Sequence, residues 1–237
     1  MKTGVFVAAA LAIATAAPAG PADVAYTFGV GTFAPAYTPP APGSYELPPI
    51  QRVGDHPVLD EDGAETTLFT TAGDRLAVVA FIYTTCVEAA GCPVSMAVLQ
   101  RLDQAIAEDP ALRDHAVLLT VSFDPNRDTP ARMRARRELH APRGTWRFLT
   151  TRDVAMLQPL LDDFGQRVDR MVDADGAPTG LFRHVLKVFL VDGARRVRNV
   201  YSVGFLHADL VLNDLRTVLA ANPAAMATAR EADEPRR

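Results

Sequence analysis

Two continuous apolar runs constrain the fold of this 237-residue chain more than any other feature. They are LAVVAFIYT (76–84) and HAVLLTVSFD (115–124), and both are rich in β-branched and aromatic residues. Runs of this kind are typical of strands that are buried on both faces. Between them, residues 93–109 carry apolar side chains at a helical spacing, and Pro93 suits the first turn of a helix. This order of strand, helix and strand predicts a parallel crossover.

The segments that follow continue this alternation of helices and strands. The patterns predict a helix, a short strand, a helix, a hairpin around DGARR and a closing helix, at 129–140, 146–151, 153–165, 184–202 and 207–221. LDEDGAETTLFT (59–70) predicts a small N-terminal hairpin with its turn at Asp62-Gly63. We therefore expect an α/β, thioredoxin-like fold, in which a central mixed sheet is flanked by helices and carries an N-terminal β-hairpin extension.

The first 19 residues have the pattern of an export signal. Lys2 precedes the apolar run VFVAAALAIATAA (5–17), and APA (17–19) provides small residues for cleavage before Gly20. The run has 13 residues, whereas about 20 are needed to span a bilayer. We interpret it as a cleaved signal peptide, which predicts a periplasmic or otherwise exported protein. Membrane association through an uncleaved N-terminus remains the alternative.

Composition divides the remainder of the chain. Residues 20–50 are rich in Pro, Gly and Ala and predict an extended spacer, 51–221 form the folded domain, and 222–237 form a polar tail. The hydrophobic fraction of 49% is sufficient for a core without a disulfide framework. The net charge of −4 gives no indication of a nucleic-acid partner.

The chain has only two cysteines, and both are placed where sulfur is expected to be reactive. Cys86 follows the end of the first buried strand, and Cys92 precedes the helix that starts near Pro93. Ligand sites in open α/β sheets gather at the carboxyl ends of strands. The free N–H groups and the dipole at a helix start stabilise a thiolate and lower its pKa.

Three interpretations of the cysteine pair follow from its spacing. A structural disulfide would close a short loop and remove little entropy from the unfolded chain. A redox pair is more usually C-x-x-C, whereas the pair here is C-x5-C. Two thiolates that face one ion would form a soft donor set for Cu(I) or Zn, with a position open for another ligand.

Histidine is the residue type we expect at that open position. His56, His115, His140 and His207 are each interpreted as surface or capping residues. His184 differs, because it directly precedes the strand VLKVFLVD and follows the predicted loop DADGAPTGLFR (173–183). In a thioredoxin-like fold this loop lies beside the active-site loop, so a residue there can reach the thiolates.

The ordered set of motifs resembles the Sco/SenC family of copper-binding, thioredoxin-like proteins. The matching stretches are FIYTTC…GCP, then VSFDPNRDTP, then RHVLKVFLVDGARRVRNVY, across roughly residues 50–221. The family typically has C-x-x-x-C-P, so the longer loop VEAAG (87–91) is a departure from its pattern. Glu88 in this loop is interpreted as solvated. Asp128 is interpreted as a helix cap, and Asp124 as a group near the site.

The resemblance implies that Cys86, Cys92 and His184 bind a copper ion, as Cu(I) or Cu(II). It implies a metallochaperone that acts in assembly of the copper centre of cytochrome c oxidase. Its partners would be a copper acceptor, such as a subunit of that oxidase, and a thioredoxin-like reductant. The alternative function is a periplasmic thiol-disulfide oxidoreductase, with Cys86 and Cys92 as its catalytic redox pair. A peroxidase is disfavoured, because the chain lacks a P-x-x-x-T-x-x-C motif.

Overall fold

A computed structural model describes residues 39–86, 91–202 and 204–221 of the chain. The described residues form ten strands and five helices. The strands are β1 (Gln51–Arg52), β2 (Pro57–Leu59), β3 (Glu65–Thr67), β4 (Leu76–Ile82), β5 (Ala116–Ser122), β6 (Trp146–Leu149), β7 (Val168–Val172), β8 (Pro178–His184), β9 (Lys187–Val191) and β10 (Arg196–Ser202). The helices are α1 (Leu68–Ala72), α2 (Cys92–Glu108), α3 (Pro130–His140), α4 (Val154–Asp163) and α5 (Ala208–Ala220).

Six of these strands form one central mixed sheet in the order β1-β10-β9-β4-β5-β6. β4 pairs in parallel with β5 and antiparallel with β9, so the first cysteine follows a strand in the middle of the sheet. Every residue of β4 and β5 is buried, as their apolar runs predict. Because β9 runs antiparallel to β4, the residues before β9 lie at the edge where β4 ends.

The helices cover this sheet and supply much of the core. Phe81 of β4, Phe164 after α4 and Phe189 of β9 form a cluster with ring centroids 5.0 to 5.9 Å apart. Edge-on contacts of this kind fix neighbouring elements relative to each other in addition to burying apolar area. The core therefore continues from α4 to the two central strands behind the cysteines.

Residues 39–50, which precede β1, contain no helix or strand but are held against α5 by hydrogen bonds. The hydroxyls of Tyr45 and Tyr201 both donate hydrogen bonds to the carboxylate of Asp214 on α5. Asn199 donates a third hydrogen bond to the same carboxylate, at 2.8 Å. Burial, followed by the hydrogen bond to Asp214, raises the pKa of Tyr45 to about 12, so this hydroxyl keeps its proton at neutral pH.

The predicted thioredoxin-like fold is confirmed. The strand-helix-strand unit, the closing hairpin and the last helix occur within two to three residues of the predicted bounds. The N-terminal hairpin is also present, as β2 and β3, with Gly63 in its turn at φ +82°.

One predicted element is wrong and others lie outside the described residues. The stretch 173–183 was expected to be a loop, but most of it belongs to the antiparallel hairpin formed by β7 and β8. Its strands are largely exposed, so they lack the apolar pattern that predicts a strand. The predicted signal peptide, most of the spacer and the polar tail are not described. No helix of the described residues is long and apolar enough to cross a membrane.

Candidate functional site

The two cysteines lie on one rim of the sheet, where β4 ends and α2 begins. Cys86 is half-buried, and its backbone N–H donates to the carbonyl of Tyr83 at 3.2 Å. Cys92 is the first residue of α2, after the N-cap Gly91, and its exposure is 5%. The sequence prediction of a strand-end and helix-start pair is thus confirmed in position, whereas Glu88 and its neighbours lie outside the described residues.

Both cysteines are free thiols, and the Cys86 side chain lies near enough to Cys92 to influence its pKa. Burial raises the pKa of the Cys92 thiol to about 12, and the adjacent Cys86 adds to the rise. A backbone hydrogen bond from Tyr83 acts in the opposite direction but is the smaller effect. This differs from the lowered pKa expected at a helix start, because desolvation of the thiolate outweighs the helix dipole. In the reduced protein without metal, Cys92 therefore carries its proton at neutral pH.

A cleft of about 370 Å³ opens beside the thiols. Its lining includes Cys86, Cys92 and Met96 together with polar side chains of α2 and α3, among them Gln100 and Arg136. Both cysteines thus line one depression in the surface.

Tyr83 is the residue that sequence reasoning missed. Its backbone carbonyl accepts from the Cys86 N–H, and burial followed by the effect of the nearby Cys86 side chain raises the pKa of Tyr83 to about 12. Its ring contacts Phe123 and Phe182 at centroid distances of 5.2 and 5.0 Å, and the ring of His184 at 6.2 Å. The only sequence signal was its place at the end of β4, three residues before the first cysteine.

His184 is the last residue of β8 and lies at the same edge of the sheet as the cysteines. Its ring packs against Phe123 at 4.9 Å, and its Nε2 atom is buried. It is not among the residues that line the cleft, and Tyr83 contacts both His184 and Cys86. In the part of the chain that the structure describes, no three His, Cys, Asp or Glu side chains are grouped as metal ligands.

Asp128 holds the segment that leads to the first cysteine. It is fully buried, and its carboxylate accepts hydrogen bonds from the Thr84 backbone N–H (2.9 Å), the Thr84 hydroxyl and the Ser122 hydroxyl (2.6 Å). The interpretation of Asp128 as a helix cap is wrong, because the cap of α3 is Thr129. A carboxylate that accepts three hydrogen bonds fixes the end of β4 two residues before Cys86.

Asp124 lies under the β7–β8 hairpin. It is buried, and Arg170 of β7 approaches its carboxylate at 3.7 Å. Burial and the charge of Asp128 raise the pKa of Asp124, while Arg170 opposes the rise. Arg170 also lies over the ring of Phe182, 5.3 Å from its centroid. Asp124 therefore connects the loop after β5 to the hairpin that ends at His184.

The other histidines have structural partners or peripheral positions. His56 Nε2 is 2.8 Å from Asp163, and His140 Nδ1 is 2.9 Å from Gln100. His207 occupies the N-cap position of α5, and His115 directly precedes β5. His140 lines the far part of the same cleft as the cysteines, which its place at the end of a basic helix did not predict.

The fold and this rim define the class: a thioredoxin-like protein with a free cysteine pair at the end of the central strand. The family model SCO1/SenC matches residues 48–220. The chain therefore belongs to the SCO1/SenC family, as its motifs suggested. A search of curated proteins finds no significant match.

Solved structures with the same fold include three Sco proteins at low sequence identity. Arabidopsis thaliana ScoI with copper bound has a TM-score of 0.61 and 17% identity, over 73% of this chain and 100% of that one. Bradyrhizobium japonicum ScoI with copper bound has a TM-score of 0.54 and 22% identity, over 69% and 99%. BsSco, described as a cytochrome c oxidase assembly protein with a disulfide switch, has a TM-score of 0.57 and 18% identity, over 75% and 100%.

Proposed function

We propose that this protein is a copper metallochaperone that holds a copper ion through Cys86, Cys92 and His184. The observation that carries the proposal is the pair of free cysteines that line one cleft beyond the end of β4. Two thiolates are a soft donor set that favours Cu(I). Family membership and the copper-bound ScoI structures support the same cargo.

His184 is proposed as the third ligand because of its place in the fold. It ends the β7–β8 hairpin at the edge where β4 ends, and Tyr83 contacts it and Cys86 alike. Only two strands form this hairpin, and they are largely exposed. A shift of the hairpin toward the cysteines therefore costs less free energy than a shift of a strand in the central sheet. A neutral imidazole then adds a nitrogen donor to the two thiolates.

Copper(I) titration of the reduced protein tests this proposal. Wild type is compared with Cys86→Ser, Cys92→Ser and His184→Ala, in competition with a chromophoric Cu(I) chelator. We expect both serine variants to lose tight binding and His184→Ala to bind more weakly. Equal affinity of wild type and His184→Ala would rule out the three-ligand set, and no binding by wild type would rule out the chaperone.

For the biological role, we propose that the acceptor is a copper-binding subunit of cytochrome c oxidase and that a thioredoxin-like protein keeps the pair reduced. Support comes from the family and from BsSco, which is described as an assembly protein of that oxidase. Export to the periplasm is proposed from the N-terminal apolar run. Fractionation of cells that express the full chain, followed by N-terminal sequencing of the mature protein, tests the location.

A second function, thiol-disulfide oxidoreductase, is favoured by the presence of both free cysteines in one cleft. In that reaction Cys86 and Cys92 would be oxidised to a disulfide while the disulfide of a partner is reduced to two thiols, with two electrons and two protons transferred. This activity needs no metal and no His184. Turnover of a disulfide substrate by copper-free protein, unchanged in His184→Ala, would favour it over the chaperone.

A further inference from the structure

A third sulfur-containing residue lines the cleft beside the cysteine pair. Met96 lines this cleft together with Cys86 and Cys92, and it is 8% exposed. It lies on α2 four residues after Cys92, which is one helical turn. Residues four apart share a face of a helix, and long helical side chains lean toward the N-terminus. This spacing directs the Met96 side chain toward the turn that begins at Cys92.

The chemistry of this position suits a soft monovalent metal ion. Thioether and thiolate ligands together select Cu(I), whereas imidazole is a harder donor that also suits Cu(II) and Zn. The described residues contain no group of three His, Cys, Asp or Glu side chains fit for a metal, but methionine lies outside that set. Cys86, Cys92 and Met96 provide three soft donors at one cleft without any contribution from the β7–β8 hairpin.

We propose that Met96 is a thioether ligand of copper(I), bound together with the thiolates of Cys86 and Cys92. This inference rests on the proposed copper-binding function and extends its ligand set. The metal enters as Cu(I) and leaves as Cu(I). It displaces protons from the thiols and none from Met96, so no electron transfer or further reactant is required.

A purely structural role for Met96 makes different predictions. Met96 belongs to the hydrophobic core cluster, and methionine commonly fills irregular gaps in cores. In that case Met96→Leu, which nearly conserves volume, would change stability slightly and copper affinity not at all. Met133→Leu is the matched control, because Met133 is also buried but lies on α3 and does not line the cleft.

The test combines an affinity with a direct measurement of the copper ligands. Cu(I) affinity is measured by chelator competition for wild type, Met96→Leu and Met133→Leu, and thermal unfolding of the copper-free proteins checks folding. We expect Met96→Leu alone to lose at least about ten-fold in affinity, since even loss of an outer-shell partner costs that much. In selenomethionine-labelled protein, X-ray absorption at the selenium edge should show a copper–selenium distance that is absent in Met96→Leu and retained in Met133→Leu.

The outcomes separate this inference from the proposed function. Equal Cu(I) affinity of wild type and Met96→Leu, with no copper–selenium distance, would overturn the role of Met96. The proposed metallochaperone function would not be affected by that result. Protein that binds no Cu(I) in any form overturns both. If Met96→Leu proves unstable, the selenium measurement on wild-type protein alone decides, since a bound thioether must place selenium in the first coordination shell of copper.

Discussion

The substitution Asp128→Asn tests whether a buried carboxylate positions the cysteine segment. Asn has the same shape as Asp but no charge, and its NH₂ group cannot accept a hydrogen bond. Asp128 accepts from the backbone N–H and hydroxyl of Thr84 and from the hydroxyl of Ser122. At least one of these donors must lose its acceptor or reorient, and the others keep only a neutral acceptor.

The expected loss of stability follows from these three contacts. A hydrogen bond to a charged group contributes about 1.5 to 3 kcal/mol, and a neutral one about 1 kcal/mol. Loss of one charge-assisted bond and weakening of two gives a decrease of about 3 kcal/mol in the free energy of unfolding. With an m-value of about 2 kcal/mol/M in urea, the unfolding midpoint should fall by about 1.5 M.

Urea unfolding of the reduced, copper-free protein, followed by fluorescence, measures this shift. Asp175→Asn is the control, because Asp175 is exposed near the tip of the β7–β8 hairpin and its replacement also removes one negative charge. We also expect faster alkylation of the buried Cys92 in Asp128→Asn, since the preceding segment is less constrained. If Asp128→Asn and Asp175→Asn unfold at the same urea concentration as wild type, Asp128 does not hold this segment.

Two further predictions concern the support of the sheet and of the hairpin. Glu61 is buried, which by itself would raise its pKa, but the hydrogen bonds from Arg147 and from the Phe148 backbone N–H, together with the charge of Arg147, outweigh burial and lower it. The stability that ionised Glu61 contributes is complete above its usual pKa and is lost as pH falls through its lower pKa in the folded state. The unfolding temperature of wild type should therefore decline below about pH 5, and that of Glu61→Gln should decline less steeply. Gly180 has φ +78°, and a Cβ there would displace the guanidinium of the exposed Arg127 from its place against the hairpin. Gly180→Ala should therefore speed hydrogen exchange in the β7–β8 hairpin more than Gly176→Ala, which has the same kind of backbone strain (φ +81°) but no neighbour within 4 Å of its Cβ.

The buried elements of the fold were predictable because their physical constraint is visible in the sequence. β4 and β5 are buried on both faces, so their apolar runs are uninterrupted, and Pro93 marks the start of α2. The β7–β8 hairpin was not predictable in this way. Its residues are mostly exposed, so nothing selects an alternating pattern, and its Gly, Pro and Asp residues are equally typical of a loop.

The positions of the site residues were more predictable than their environments. The strand-end and helix-start rule located Cys86 and Cys92, but the pKa of Cys92 depends on how deeply its side chain is buried in the folded chain. Asp128 shows the same limit. Its sequence neighbours suggested a cap, whereas two of the three hydrogen bonds to its carboxylate come from Thr84, which is 44 residues away and is brought close by the parallel pairing of β4 and β5.

The buried, protonated thiol of Cys92 makes pH the variable that relates structure to copper loading. Copper binds thiolate, so each ion that binds must displace at least the proton of Cys92, whose pKa is about 12. Since the free thiol stays protonated across the neutral range, Cu(I) affinity should rise about ten-fold or more for each unit of pH increase. Chelator competition at several pH values between about 6 and 9, corrected for protonation of the chelator, measures the slope. An affinity that does not change with pH would contradict a protonated Cys92 as a ligand, and a slope close to two would mean that both thiols give up their protons to the metal.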